Sequence, residues 1–443
     1  METREIDTLV LGAGLTGLSC ALHLERDYLV LEREDHVGGL THTNQVEGHS
    51  FDITGHWLHL RKPRIKTLVA DLLGSELAIR QRRARVFSHG VYTPYPYQAN
   101  THGLPPEVAA ECLMGFVKAR CWDRLSEEAP PPQATPETFA DFILQRMGEG
   151  IAKHFMFPYN EKLWTVHPRE MDASWCERFV PVPSLEDVIM GAFGQSPQGL
   201  GYNVHFLYPR AGGIARLPQA MAERLSAPVE LGVAATALDL ERHVVETSDG
   251  RAIHYRHLVS SAPLNQLLQM AKQLPDEIRD AAQHLTHTTL TYFDVAARGA
   301  NPDQPHWSYV PEADKPFYRV GSFSAVEPGM APPKERNFYV EYSHQGAELP
   351  LANAEDEVVD QLCRMRLIDE PEDILFIRRR TIQVAYVLMG AAVEPARRSV
   401  LDFLDSKGVI STGRYGAWVY AAMEDALFDG IKAAKEIAHR REA

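Results

Sequence analysis

The sequence predicts an α/β fold whose parallel sheet is gathered from separated stretches of the chain. Three observations predict it. A buried-looking strand over 6–11 runs into a glycine-spaced turn, a helix and a second short strand over 28–31. Strand-like runs return over 229–261 and end in L-V-S-S-A-P. Further on, G-V-I-S-T-G-R-Y-G reads as a strand and turn, followed by a helix from Met423 to Arg440. A chain of 443 residues has room for two or three domains and a large core.

The first unit carries the sharpest signal. Gly12, Gly14 and Gly17 follow the strand and open the helix. In a Rossmann-type unit such glycines give a tight turn, close approach of backbone to a pyrophosphate, and close packing of helix on strand. The helix N-terminus offers N–H groups and a positive dipole end to phosphate. Glu32 ends the second strand about twenty residues beyond Gly12, where a carboxylate accepts ribose hydroxyls. Gly38-Gly39 adds a second close-approach turn. An ordinary tight strand–helix turn is the alternative; the strand before, the helix after and the acid at the right distance argue for a dinucleotide. The E-x5-G-G extension resembles that of amine-oxidase-type flavoproteins, which favours FAD over NAD.

Beyond this unit, 61–84 reads as a helix closed by Gly74, and V-F-S-H-G-V-Y-T-P-Y-P as a hairpin turning at His89-Gly90. Helical patterns run from Pro105 to about Leu163, broken by a surface loop at 127–135. The glycine-rich stretch 191–201 reads as a mobile loop. Alternating β segments over 286–297 and 305–343 suggest an antiparallel sheet. The predicted organisation is therefore a discontinuous dinucleotide domain from 1–84, 202–270 and 400–443, an antiparallel-sheet substrate domain from 85–100 and 285–399, and a helical substrate-side region over 101–201.

Composition narrows the function. A formal net charge of −14 argues against nucleic acid, although a local arginine cluster can still bind an anion. The five cysteines, at 20, 112, 121, 176 and 363, have no C-x-x-C spacing, so neither a zinc site nor a disulfide framework is expected, and a reducing cytoplasm fits. No signal peptide and no spanning helix are expected. His56 and His59 have H-x-x-H spacing without a third ligand, so no metal is assigned.

Several polar constellations remain. F-D-I-T-G-H-W puts His56 beside Gly55, where an imidazole can approach a flat ring; a hydrogen-bonded turn histidine is the alternative. Y-T-P-Y-P-Y-Q-A-N combines rings that stack a base with amides that read its edge, or is a tyrosine-rich hairpin packed in a core. Arg178, Arg210, Arg319 and Arg414 each lie near aromatic residues. Forked guanidinium donors with tyrosine hydroxyls suit a diphosphate, although any single arginine could be a surface or ion-paired one. There is no G-x-S-x-G elbow, P-loop or cysteine-nucleophile context, which suits a cofactor that does the covalent chemistry.

Taken together, G-A-G-L-T-G-L, G-G-L-T, F-D-I-T-G-H, P-Y-P-Y-Q-A-N, P-Y-N-E-K-L-W-T-V, E-R-F-V-P-V-P, Y-P-R-A-G-G-I, W-S-Y-V-P-E-A-D-K-P-F-Y-R and G-R-Y-G-A-W-V-Y resemble the UDP-galactopyranose mutases. The likeness is to the eukaryotic-type branch, within the amine oxidase and protoporphyrinogen oxidase FAD superfamily, and runs nearly end to end. It implies a discontinuous Rossmann-type FAD-binding domain with an inserted helical region and an antiparallel-sheet substrate domain. It implies FAD held at Gly12, Gly14, Gly17, Glu32, Arg33, Gly39, Leu40, His56, Gly413 and Arg414. A UDP-sugar would meet Gln98, Asn160, Trp164, Arg178, Tyr309, Arg319, Tyr386, Arg414 and Tyr420, with His56, Arg319 and Arg178 as the catalytic set. The loops at 176–184 and 191–201 would close over it.

The implied reaction is pyranose/furanose isomerisation through a reduced-flavin N5 adduct, with NAD(P)H a candidate reductant. A homo-oligomer is left open. The alternative is an FAD-dependent oxidoreductase acting on an amine, a porphyrinogen or a modified sugar; a flavin-binding protein without turnover has little support. The chain departs from the mutases on the sugar side. V-A-Y-V (384–387) lacks their proline, Val419 stands where the eukaryotic branch has arginine, and A-A-M-E-D-A after Tyr420 lacks the asparagine-bearing sugar contact.

Overall fold

The computed structural model describes residues 2–24, 26–125, 135–195, 204–299, 301 and 303–442. The surface loop expected at 127–135 lies, but for Thr135, outside them, as does the expected 191–201 loop beyond Gln195.

One sheet has the strand order Tyr28–Leu31, Glu2–Leu11, Arg251–Ser260, Val244–Thr247, Ala235–Asp239, with Val409–Ser411 joining it at Arg251–Ser260. Glu2–Leu11 pairs in parallel with both neighbours. Its unbroken L-V-L end follows from burial on both faces. Val10 belongs to one core with Leu18, Leu427 and Ile431, whereas Leu9 and Leu11 belong to another with Val400 and Leu404. Along one edge of Arg251–Ser260, residues 252–254 pair with the antiparallel hairpin strand Val244–Thr247, and 258–260 pair in parallel with 409–411. The last strand takes over where the hairpin ends, and it delivers its following turn to the same sheet end as the glycine turn after Leu11. In open α/β sheets ligands bind beyond that end of the parallel strands.

The second sheet runs Ile374–Ile382, Thr289–Arg298, Glu335–His344, Arg319–Gly321, Trp307–Tyr309, Ala84–Ser88, Val91–Pro94. Its pairings are antiparallel except where Trp307–Tyr309 runs parallel to Ala84–Ser88. The α/β fold class is thus as the sequence indicates. Helices Pro106–Leu125, Phe139–Ile151 and Phe157–Trp164 pack into a further core around Phe116, Phe142, Phe155 and Trp164. Helix Val393–Ser406 starts inside the range grouped above with the antiparallel sheet, yet its stripe of Val393, Val400 and Leu404 is buried with Leu9 and Leu258. The helix leads directly into strand Val409–Ser411 and packs beside it. Among the described residues no helix is long and apolar enough to cross a membrane.

Candidate active site

The glycine turn is built as the sequence suggests. Helix Leu15–His23 starts at Gly14, which has φ −71° and contributes no side-chain cap. A Cβ on Gly14 would meet nothing within 4 Å, so this surface is open to whatever approaches the helix end. Gly17 is the opposite case: a Cβ there would sit 1.9 Å from the Gly12 carbonyl oxygen, so only glycine lets the helix lie this close. The second glycine turn folds onto the first, Gly38 N–H donating to the Ala13 carbonyl at 2.8 Å.

Buried Glu32 accepts from Ala13 N–H at 2.7 Å through Oε2 and from Glu34 N–H at 3.0 Å through Oε1, which fixes its carboxylate beside the turn. Leu40 is half-buried in the single turn Gly39–Thr41. Arg33 is exposed and turned toward Glu34 and Gln266. At the far strand, Gly413 has φ +81° and its Cβ position lies 2.4 Å from Thr16 Oγ1, so the turn carrying Arg414 presses directly on the first helix.

Above these turns the antiparallel sheet and the helices present arginines and rings. Strand register puts Arg319 opposite both Tyr309 and Glu341. Arg319 donates from Nε and Nη2 to the two carboxylate oxygens of fully buried Glu341, each at 2.7 Å, leaving Nη1 outside the pair. Burial works against the Arg319 charge and Glu341 more than restores it, so the guanidinium is held charged, well above its ordinary pKa.

Arg414 donates to the carbonyls of Ala421 at 2.7 Å and Ala385 at 3.5 Å rather than to a carboxylate, and its Nε is buried without a protein partner. Its guanidinium lies 5.3 Å from the Tyr386 ring centre and 5.1 Å from that of Tyr420. Trp164 completes the wall, 5.5 Å from Tyr386 and 5.4 Å from Tyr420. Burial pushes the Tyr386 hydroxyl up to about 12, so it remains a donor at neutral pH. Burial first, then the charges of Arg414 and Arg319, hold His56 down to about 4; it is neutral, and its Nδ1 has no protein partner.

The structure therefore brings His56, Tyr309, Arg319, Tyr386, Arg414, Tyr420 and Trp164 into one neighbourhood. Other expected residues are engaged elsewhere. Asn160 spends its amide inside its own helix, donating to the Met156 carbonyl at 2.7 Å and accepting from Trp164 Nε1 at 3.1 Å; it orients the tryptophan. Buried Gln98 donates to the Pro181 carbonyl at 2.6 Å and keeps Oε1 without a partner. Arg178 stands at the rim, paired with Asp425 at 2.6 Å and lying 4.9 Å from the Phe179 ring centre. Arg210 is excluded from the cluster: it is exposed and bonds the Ser75 carbonyl, because the strand before it pairs with Leu77–Gln81.

A cavity of about 290 Å³ opens at the rim, lined by His59, Arg61, Lys62, Arg178, Phe179 and Tyr420 among others. Glu424 and Asp425 cross-link it. Glu424 accepts from the backbone N–H groups of Arg61 and Lys62, and Asp425 from Lys62 Nζ at 2.8 Å. Sequence reasoning missed these acids and Glu341. An acid at an alternate position of the apolar strand F-Y-V-E-Y was the available signal for Glu341.

The residues fit a flavin dinucleotide. The open surface at Gly14, the fixed carboxylate of Glu32 and the partnerless buried nitrogen of His56 are the provisions its pyrophosphate, ribose and ring would use.

Comparison with known proteins agrees. The profile of a family described as flavin containing amine oxidoreductase matches residues 15–438. The flavin-containing amine oxidase A of Canis lupus familiaris is 25% identical over 303 residues, 64% of this chain and 55% of that protein. Coproporphyrinogen III oxidase of Mycobacterium tuberculosis is 25% identical over 165 residues, 34% of this chain and 35% of that one. The match thus spans about half the length of the first of these relatives and a third of the second. The crystal structure of reduced UDP-galactopyranose mutase superposes with a TM-score of 0.89 at 26% identity, covering 99% of this chain and 95% of that one. Putrescine oxidase bound to putrescine shares the fold at a TM-score of 0.65 and 16% identity, covering 99% and 100%.

Proposed function

The chain belongs to the flavin-containing amine oxidoreductase family, FAD-dependent enzymes, and from that premise we propose that it isomerises a nucleotide-diphosphate sugar between pyranose and furanose forms, as a UDP-galactopyranose mutase does. The observation that carries this reading is Arg414. Its half-buried guanidinium is faced by tyrosine rings and bonded by carbonyls, and no carboxylate pairs with it among the described residues. Such a guanidinium is a site for an anion, and a forked donor beside tyrosine hydroxyls suits a diphosphate. An amine substrate, cationic near neutral pH, would be repelled by Arg414, which no carboxylate neutralises among the described residues. The likeness to reduced UDP-galactopyranose mutase over nearly the whole chain supports the same substrate class.

Bound FAD supplies a nucleophilic N5 when reduced and a hydride acceptor when oxidised. The polypeptide's share is binding and orientation. Arg319, locked by Glu341, presents Nη1 in one direction, and Arg414 presents Nε. Tyr386 stays protonated and donates. Neutral His56 adds a ring nitrogen without placing a second cation beside Arg414. Trp164 and Phe179, packed on Tyr420, keep water from the reacting carbon. Arg178 would turn from Asp425 to the diphosphate at the rim.

A second reading, oxidation of an anionic porphyrinogen or modified sugar, draws on the coproporphyrinogen III oxidase relatives, since carboxylates would also satisfy Arg414. One experiment separates the two. The dithionite-reduced FAD protein should interconvert UDP-galactopyranose and UDP-galactofuranose by chromatography, and the oxidised protein should not. Arg319→Ala should weaken UDP binding and leave the flavin spectrum normal. No product and no UDP-induced flavin change, with steady oxygen consumption on a porphyrinogen or amine, would overturn the mutase reading.

A further inference from the structure

Helix Phe157–Trp164 touches both halves of the arginine–tyrosine cluster. Trp164 packs on Tyr386 and Tyr420, while Tyr159 lies 5.3 Å from Tyr309 and 6.2 Å from Tyr318, ring centre to ring centre. Between them on the helix, half-buried Lys162 has no part in the chemistry described so far. Its Nζ donates to three backbone carbonyls, Glu312 at 2.9 Å, Lys315 at 2.8 Å and Phe317 at 2.7 Å. All three belong to the connection 310–318 that joins strand Trp307–Tyr309 to strand Arg319–Gly321. Within the connection Val310 N–H reaches the Tyr318 carbonyl and Lys315 N–H the Glu312 carbonyl, and at its end Tyr318 N–H reaches the Glu341 carbonyl of the neighbouring strand. Pro311 and Pro316 contribute no N–H.

We propose that Lys162 is a positioning residue of the active site: its ammonium gathers the carbonyls of the 310–318 connection to one point and so fixes Tyr309 and Arg319, the facing pair that the connection joins. Only the three-proton form serves three acceptors at once. Burial, helped by the charge of Lys315, opposes that form and pushes Lys162 down to about 7 against the pull of the Glu312 and Asp314 carboxylates, while three carbonyl acceptors around Nζ favour the ammonium. An uncharged side chain at 162 would leave the Lys315 and Phe317 carbonyls without this donor and the Glu312 carbonyl with Lys315 N–H alone, and free the connection to shift. Because Arg319 is already bound by Glu341 through two nitrogens, a small shift of its strand re-aims the one nitrogen left for ligand.

The choice of ligand, though not the geometry, rests on the nucleotide reading above. The test uses the FAD-loaded full chain with Lys162→Met, Lys162→Gln and Lys162→Arg, and measures amide hydrogen exchange over 310–318 and UDP affinity from the flavin difference spectrum. In Lys162→Met we expect faster exchange confined to 310–318, retained FAD and UDP affinity lower by about tenfold or more. Lys162→Arg, which keeps the charge and multiple donors, should recover most of both. If Lys162→Met loses FAD, Lys162→Gln is read in its place. Unchanged exchange overturns the proposal, and so does faster exchange with wild-type UDP affinity, which would make Lys162 structural only. If the wild-type protein gives no response to UDP, the nucleotide reading falls. The lysine is then judged on exchange together with flavin-band circular dichroism, and wild-type values for both in Lys162→Met would overturn it.

Discussion

Gly14 and Gly17 lie three residues apart and carry different burdens. At Gly14 the backbone angle suits any residue and a Cβ meets no protein atom, so a side chain there interferes only with what docks from outside. We expect Gly14→Val to fold with wild-type circular dichroism and melting temperature yet purify colourless; normal flavin absorbance would place the pyrophosphate elsewhere. At Gly17 the clash is with the Gly12 carbonyl, and alanine would push helix from strand. The open face at Gly14 and the close packing at Gly17 were legible in the sequence because the turn, the helix and Glu32 lie within one short stretch, where spacing stands in for geometry. The duties of Asn160 and Arg178 were not. The four-residue spacing of Asn160 and Trp164 makes them helix neighbours without saying that the amide will be spent there, and nothing local shows that an arginine will meet Asp425 from the far end of the chain.

Elements show the same division. The hairpin at His89-Gly90 and the helix closed by Gly74 could be read from turn residues alone. The Arg319–Glu341 pair is set by a strand register that composition does not reveal, and it gathers two charges in a place where losing one partner typically costs about 3–5 kcal/mol. The contact between the first and last helices is likewise non-local. Gly430 of helix Met423–Glu442 lets it rest on Leu15–His23, since a Cβ there would lie 2.4 Å from the Thr16 carbonyl oxygen and 2.6 Å from Ser19 Cβ. We expect Gly430→Leu to lower the unfolding free energy by ~2 kcal/mol through overpacking, read from urea denaturation, and to weaken FAD retention by shifting the helix that starts at Gly14. A wild-type midpoint would show that the two helices have slack.

Across the whole molecule, buried histidines set the response to acid. Burial, with neighbouring charges, holds His42, His56 and His59 down to about 4 and His306 to about 3. Each binds a proton in the unfolded chain at higher pH than in the folded one, so their contribution to stability is present above about pH 6.5 and is lost as the pH falls toward 4. Asp52 and Asp294 act in the opposite sense. Burial raises both to about 6, so the fold gains from them as the pH falls from about 6 to 3.8. Four displaced histidines outweigh two displaced aspartates. We expect the urea midpoint to fall between pH 7 and pH 5, and a rise would mean that the aspartates dominate.

The sheet that carries the glycine turn also dictates when the protein can be completed during synthesis. Its other five strands are complete at Ser260, but the strand at 409–411, the arginine turn after it and the helix that covers Thr16 are translated much later. A growing polypeptide therefore holds this sheet with its 258–260 edge unpaired until 409–411 emerges. Acquisition of colour is then a late event, and prematurely terminated products remain without pigment however well their amino-terminal portion has folded.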